Sequence, residues 1–267
     1  MKLKKIALLG LAALTTLTLA ACGSSSKDSQ AAIKEKGKLV VAISPDYAPF
    51  EFQSLVDGKN KIVGADVELA QDIADELGVE LELSSMSFNN VLTSLTSGKA
   101  DIAISGLSYT KERAKVYDFS DVYYETENAI LVRKSELDKY TSLDDLAGKK
   151  VAALKGAIEE TLAKEQLTDS NIVGLTAMGE AINELKSGHV DAVTLEAPVA
   201  AGYIAKNDDI ALAKVALKVE DGDAKAIAMP KGSDELKKTI NKVIEKVKSE
   251  DKYKTYIEEA AKLTEAE

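Results

Sequence analysis

The chain has 267 residues with one Cys, one His and no Trp, and sets 34 Lys and Arg against 44 Asp and Glu. One Cys closes no internal disulfide, and one Cys with one His builds no Cys/His zinc site, so a disulfide-stapled domain and a zinc module are excluded. A formal charge of −10 argues against a binder of nucleic-acid backbones, while 45% apolar and 29% charged content is ordinary for a globular protein, with length for one large domain or two lobes.

The first segment reads as a targeting signal rather than as part of the fold. Met1-Lys2-Leu3-Lys4-Lys5 is basic, and Ile6 to Ala21 is an apolar run of 16 residues broken by three threonines. A bilayer core of about 30 Å needs about 20 residues, so the run is short for a span and fits a secretory signal peptide, residues 1–21. It ends Leu19-Ala20-Ala21-Cys22-Gly23, which resembles the bacterial lipobox, in which the Cys is lipidated, with palmitate, and becomes the mature N-terminus. Residues 22–36 then read as the lipidated Cys and a tether that begins with the serine-rich Ser24 to Gln30. Loss of residues 1–21 removes three Lys and no acid, which takes the charge to −13. A surface of that sign is repelled by anionic lipid, so membrane attachment is expected only through Cys22.

From Lys38 on, short apolar runs alternate with helical periods. Leu39–Ile43 reads as a buried strand. Asp66 reads as the N-cap of a helix carrying Leu69, Ala70, Ile73 and Leu77, with Gly78 as its stop. Val79–Leu83 is a strand, Val91, Leu92 and Leu95 share a helical face ended by Gly98, and Asp101–Ile104 is a strand again. After an extended stretch, Tyr123–Val132, the rhythm restarts: strand Lys150–Leu154, helix Ala157–Glu165, strand Ile172–Gly174, helix Gly179–Ser187, strand Val190–Leu195. Lys225–Met229 is a second extended stretch, and Ser233–Lys248 a final helix. Two α/β sets joined by two extended crossings predict two lobes with a cleft between them. Ligands of open α/β sheets sit at the carboxyl ends of strands, which directs attention to the loops after Ile43, Ile104, Leu154 and Leu195.

The first loop, Ser44 to Phe52, is stiffened by Pro45 and Pro49 and holds Tyr47, Phe50 and Phe52. Taken singly, each aromatic is explained better by core packing than by a cleft wall, and so is Phe88, which opens the second helix. After the third strand, Gly106 lets backbone approach a ligand, Ser108 and Thr110 suit a helix start, and Arg113 offers a planar fork for a carboxylate. Lys155-Gly156-Ala157-Ile158-Glu159 is a strand–Gly–helix junction without the phosphate-loop pattern, and Glu196 precedes Pro198 after the last strand. A lone Arg is otherwise a surface ion pair and a lone Glu before a helix a capping acid. Together an anion fork, a carboxylate and two aromatic walls fit a zwitterion, an α-amino acid. No nucleophile–base pair is present to compete, and His189 follows Gly188 in a surface turn.

Several ordered motifs now resemble one family: Asp46 to Phe52, Gly64 to Ala70, Asp101 to Ser108, Thr110 to Arg113 and Asp118 to Tyr124, within a similarity running from about Lys38 to Ile257. The chain is similar to the substrate-binding proteins of polar amino-acid ABC importers, solute-binding family 3. The resemblance implies an α/β, two-lobed type II periplasmic-binding-protein fold, each lobe a mostly parallel sheet flanked by helices, with two hinge strands. Lobe 1 is expected at 37–123 and 225–267, lobe 2 at 128–219, and the hinges at about 124–127 and 220–224. It also implies roles: Arg113 on the ligand carboxylate with backbone N–H groups near Ser108 and Ile158, Glu196 on the α-ammonium with the Gly106 carbonyl and Ser108 hydroxyl, Tyr47 and Phe88 around the side chain, and Ser44, Glu51 and Ser105 where relatives touch the ligand side chain. Three departures stand out. Ala157 and Ile158 replace hydroxyl residues, Glu196 replaces the usual Asp, and Ser44 stands where glutamine- and cation-binding members often have Asp.

The expected function is capture of a free amino acid, polar or cationic with arginine or lysine in view, by lobe closure, and delivery to an ABC permease at the extracytoplasmic face of a bacterial cell membrane. A monomer without cofactor, metal, nucleic-acid partner or catalytic residue is expected. An amino-acid sensor or adhesin on the same fold is the first alternative, and a dehydratase of prephenate-like acids the second.

Overall fold

The computed structural model of the chain describes residues 29–219 and 223–265. Its first elements are helix α1 (Ser29–Lys36), strand β1 (Lys38–Ile43), and the antiparallel strands β2 (Asp46–Tyr47), β3 (Glu51–Val56) and β4 (Lys59–Val63). Then come α2 (Ala65–Leu77), β5 (Glu80–Ser85), α3 (Phe88–Thr96), β6 (Ile102–Ala103), α4 (Lys111–Val116), β7 (Tyr117–Phe119), β8 (Tyr124–Thr126) and β9 (Asn128–Arg133). The second half holds β10 (Lys150–Leu154), α5 (Ile158–Gln166), β11 (Asn171–Leu175), α6 (Met178–Lys186), β12 (Ala192–Glu196), α7 (Ala197–Lys206) and β13 (Ile210–Leu212). Strands β14 (Asp223–Lys225) and β15 (Ala228–Pro230) and helices α8 (Asp234–Ser249) and α9 (Lys252–Glu265) complete it.

Two five-stranded sheets result, ordered β5-β1-β6-β15-β7 and β11-β10-β12-β9-β13. In each, three neighbours are parallel, and the strand that runs against them, β15 in one and β9 in the other, is the first to follow a crossing of the chain between sheets. The crossings are β8 and β14, which pair antiparallel as the two hinge strands. This is the two-lobed type II periplasmic-binding-protein fold. Central strands read as continuous apolar runs because both faces are covered: Leu39, Val41, Ala42 and Ile43 of β1 are fully buried.

The helices form where apolar residues recur on one face. In α2, Leu69, Ala70, Ile73 and Leu77 are buried, and the left-handed Gly78 ends the helix by donating its N–H to Asp75. In α8, Leu236, Ile240, Val243, Ile244 and Val247 make the buried stripe beneath a lysine-rich outer face.

Four features differ from the sequence reading. Asp66 does not cap α2. Gly64 occupies the cap, and Asp66, inside the first turn and fully buried, accepts hydrogen bonds from the Gly106 N–H (2.7 Å), Tyr253 Oη (2.6 Å) and Tyr123 Oη (3.1 Å). The sequence reading places a loop at Ser44 to Phe52 and no element over 53–63, whereas β3 and β4 form a hairpin over 51–63, whose turn, Asp57-Gly58 with both residues at positive φ, is a strong hairpin signal. A helix, α9, follows the one expected to be last, and it buries Tyr253, Tyr256 and Ala260. Within the stretch read as tether, Ser29–Lys36 is helical, with Ile33 buried against the lobe. Cys22 and residues 1–21 lie outside the described residues.

Candidate functional site

The carboxyl ends of β1, β6, β10 and β12 meet at the seam between the sheets. From the first lobe, Tyr47, Phe88, Gly106 and Ser108 line a narrow cleft there, and Leu154, Ala157, Ile158, Glu159 and Glu196 line it from the second. Six of the ten ligand-contact residues expected from sequence thus line one cleft from its two sides. Of the loop aromatics, Tyr47 faces the cleft, whereas Phe50 stacks behind it with ring centroids 6.1 Å apart and is wholly buried. Gly106 makes this packing possible, since a Cβ at its φ of 52° would stand 3.2 Å from the Tyr47 ring.

Ser44, Ser105 and Glu51 lie outside that lining. They form a buried row: the Ser105 hydroxyl receives the Ser44 N–H at 3.0 Å and donates to Glu51 Oε1 at 2.7 Å. Glu51 is fully buried near Asp66. Burial, and then the Asp66 charge, pushes its carboxyl well above the ordinary range, while Asp66 is raised less because three donors stabilise its charge. The row braces the ends of β1 and β6 from behind.

Arg113 is half-buried at the seam. Thr110, which caps α4, accepts the Arg113 N–H at 3.1 Å and sets where the side chain departs. The guanidinium donates to the Ser108 carbonyl (2.5 Å) in one lobe and to the Gly156 carbonyl (2.9 Å) in the other. The junction after β10 approaches closely: a Cβ on Gly156 would meet Asn89 Cα at 3.4 Å, and its φ of 84° suits glycine. Two of the junction's N–H groups are used locally, Gly156 by Glu160 Oε2 and Ala157 by the Leu154 carbonyl. Ile158, at the first position of α5, is where a helix leaves its N–H groups without intrahelical acceptors.

Glu196 stands at the cap position of α7 but does not cap it. Its Oε1 accepts a hydrogen bond from Lys225 Nζ, which also donates to Ser108 Oγ at 2.8 Å. Lys225 has no exposed surface, and Glu196 is 2% exposed. Two of the groups expected to hold the ligand ammonium therefore already hold an ammonium from the chain itself. The sequence reading took Lys225 only as the start of an extended run. Its signal was a lone charge in the run Ala224-Lys225-Ala226-Ile227-Ala228, where burial demands a partner. Glu159, which sequence marks only as part of the junction after β10, is a 2% exposed acid in the cleft lining. His189 is exposed beside Glu184 at 3.2 Å.

The sequence profile of the bacterial extracellular solute-binding proteins, family 3, matches residues 39–260. The arginine-binding extracellular protein ArtP of Bacillus subtilis (strain 168) is 38% identical over 247 residues, 92% of this chain and 93% of the relative. The ABC transporter glutamine-binding protein GlnH of the same organism is 32% identical over 266 residues, 94% and 95% of the two chains. Among solved structures, an amino acid ABC transporter substrate-binding protein from Streptococcus pneumoniae Canada MDR_19A bound to L-arginine is 56% identical with a TM-score of 0.87, the match covering 88% of this chain and 98% of that one.

Proposed function

This chain belongs to the bacterial extracellular solute-binding proteins, family 3, and from that membership we propose that it captures free L-arginine outside the cytoplasm and passes it to an ABC permease. The observation that carries the choice of a cationic ligand is Glu159. A carboxylate held in a closed cleft, apart from the carboxylate at Glu196, suits a ligand that brings a second positive group. The relatives that bind arginine support the same choice.

In this reading Arg113 clamps the ligand carboxylate with the N–H of Ile158, Glu196 takes the α-ammonium, Tyr47 and Phe88 sandwich the aliphatic stem, and Glu159 receives the guanidinium. Ser44, Ser105 and Glu51 keep the loops in place behind the contacts. Lobe 1 comprises 37–123 and 225–267, lobe 2 comprises 128–219, and rotation occurs at 124–127 and at 220–224, of which 220–222 lie outside the described residues. Closure is supported by bonds that cross the seam, from Arg113 to Gly156 and from Met178 to Asp46. A ligand that touches both lobes stabilises the closed form. An affinity near ~1 μM, about −8 kcal/mol, is within reach of a few charge-assisted bonds with burial.

The cleft acts as a binding site rather than a catalytic one, because Glu196, the acid a dehydratase would need to donate a proton, is engaged by a buried lysine. The protein is anchored as a monomeric lipoprotein through Cys22 after removal of residues 1–21, a reading supported by the lipobox-like sequence; palmitate labelling that is lost in Cys22→Ser tests it.

The test of ligand choice is a thermal-shift screen of residues 23–267 against the twenty amino acids, since a ligand of the native state raises apparent stability by mass action. L-Arginine is expected to give the largest shift. A larger shift with a neutral amino acid overturns the cationic ligand, and no shift with any overturns amino-acid capture.

A further inference from the structure

We propose that Lys225 is a positioning residue of the ammonium pocket: it holds the Glu196 carboxylate ionised and fixed in direction so that it can receive the α-ammonium of the ligand. The inference rests on the amino-acid reading above and adds a residue that contacts the ligand only through another.

Three observations carry it. Lys225 Nζ is wholly buried and donates to both Glu196 Oε1 and Ser108 Oγ, so its charge belongs to the pocket and not to solvent. Its backbone is locked on both sides: Tyr109 N–H donates to the Ala224 carbonyl at 2.8 Å, Ala226 N–H donates to the Leu107 carbonyl at 3.0 Å, and Lys225 itself pairs with Tyr124 across the hinge strands. Glu196 is nearly as buried and lies at the end of β12, in the other lobe. A buried carboxylate without a counter-charge takes up a proton, and a protonated Glu196 would have no charge to offer an ammonium. A carboxylate has about four lone-pair sites, so a bond to Lys225 leaves acceptor capacity for a second donor. The length of Glu196 also finds a reason here, because an Asp would draw the carboxylate back from Nζ by one methylene. Standing on a hinge strand, Lys225 ties the correct aim of Glu196 to the arrangement of the lobes.

The test compares two probes by titration calorimetry: L-arginine, and 5-guanidinopentanoate, which has the same carboxylate and guanidinium but no α-ammonium. In the parent protein L-arginine is expected to bind about 10–100-fold more tightly, the span of one charge-assisted hydrogen bond. In Lys225→Met that preference should fall to roughly fivefold or less, with little change for the analogue, because only the ammonium contact is spoiled. If both probes weaken equally and the preference survives, Lys225 only supports the fold and the proposal is overturned. If L-arginine binds more tightly to Lys225→Met, Lys225 competes with the ligand for Glu196, which overturns it too. Failure of the parent protein to bind L-arginine removes the functional reading itself, and this inference with it. Where Lys225→Met shows no cooperative melting transition, Lys225→Gln, which keeps a hydrogen-bond donor without the charge, carries the same comparison with the same expected loss of preference.

Discussion

The Asp46 carboxylate accepts the backbone N–H of Met178 at 2.7 Å, so a residue of one lobe caps the first turn of α6 in the other. Ala177, at the cap position of that helix, has no side chain for the task. The Ser44 hydroxyl steadies Asp46 at 3.2 Å, and Tyr203 Oη donates to the Asp46 carbonyl at 3.4 Å from α7. This bond exists only with the lobes together, so its energy adds to closure. Caps of this kind contribute about 1 kcal/mol. Asp46→Ala is therefore expected to weaken L-arginine binding roughly fivefold, and small-angle scattering with saturating ligand should show a more open average shape than the parent protein. Unchanged affinity and shape would show that this bond adds nothing to closure.

Arg113 joins the Ser108 and Gly156 carbonyls across the same seam. In the proposed reading its guanidinium also meets the ligand carboxylate, and the fork geometry matters as much as the charge. Arg113→Ala should cost about 2–5 kcal/mol of binding free energy, the loss expected when one partner of a buried charged pair is removed. Arg113→Lys should recover only part of it. A calorimetric affinity equal to that of the parent removes Arg113 from the site.

Much of this arrangement was legible in sequence because it is written in local signals. The buried strands are short apolar runs, the long helices carry stripes at the helical period, and Gly78 stops α2 where expected. The loops at strand ends carried Gly106, Ser108, Ile158 and Glu196, and those residues do line one cleft. What was not legible depends on partners far along the chain. Asp66 looks like a cap from its neighbours, yet its bonds go to Gly106, Tyr123 and Tyr253, the last of them 187 positions away. Lys225 and Glu196 are 29 positions apart on different elements, and no periodicity links them. Glu51 sits in a loop motif rich in aromatics, but its depth is set by its place in the hairpin over 51–63 that turns at Asp57-Gly58.

Glu159 provides a specificity test that does not depend on Arg113. It lies in the first turn of α5, where a negative charge is favoured by the helix, and faces the cleft with 2% exposure. Glu159→Gln keeps size and removes charge. L-Arginine should lose about 10–100-fold in affinity, the span of a charge-assisted bond, whereas L-citrulline, whose side chain is a neutral urea of similar shape, should change little. Equal losses for both ligands would place the guanidinium elsewhere.

The buried pair of Glu51 and Asp66 gives stability a distinct pH dependence. Burial, with the Asp66 charge second, raises the Glu51 carboxyl well above the ordinary range, so the native protein keeps a proton that the unfolded chain releases once pH passes about 4.3. Between that point and the raised native value the unfolded state binds fewer protons than the native one, and stability falls as pH rises. The contribution is therefore most favourable below about pH 4, opposite to that of a salt-bridged acid. Glu51→Gln carries its hydrogens at every pH, can accept from Ser105 as Glu51 does, and can donate to Asp66. It should raise the melting temperature at pH 8 by roughly 2–6 °C, equivalent to about 1–2 kcal/mol, and the gain should shrink towards zero near pH 4. Melting curves of the two proteins from pH 4 to pH 8 check this. A variant that runs parallel to the parent across the whole range would mean that Glu51 is ionised in the native state, with Asp66 or another group holding the proton.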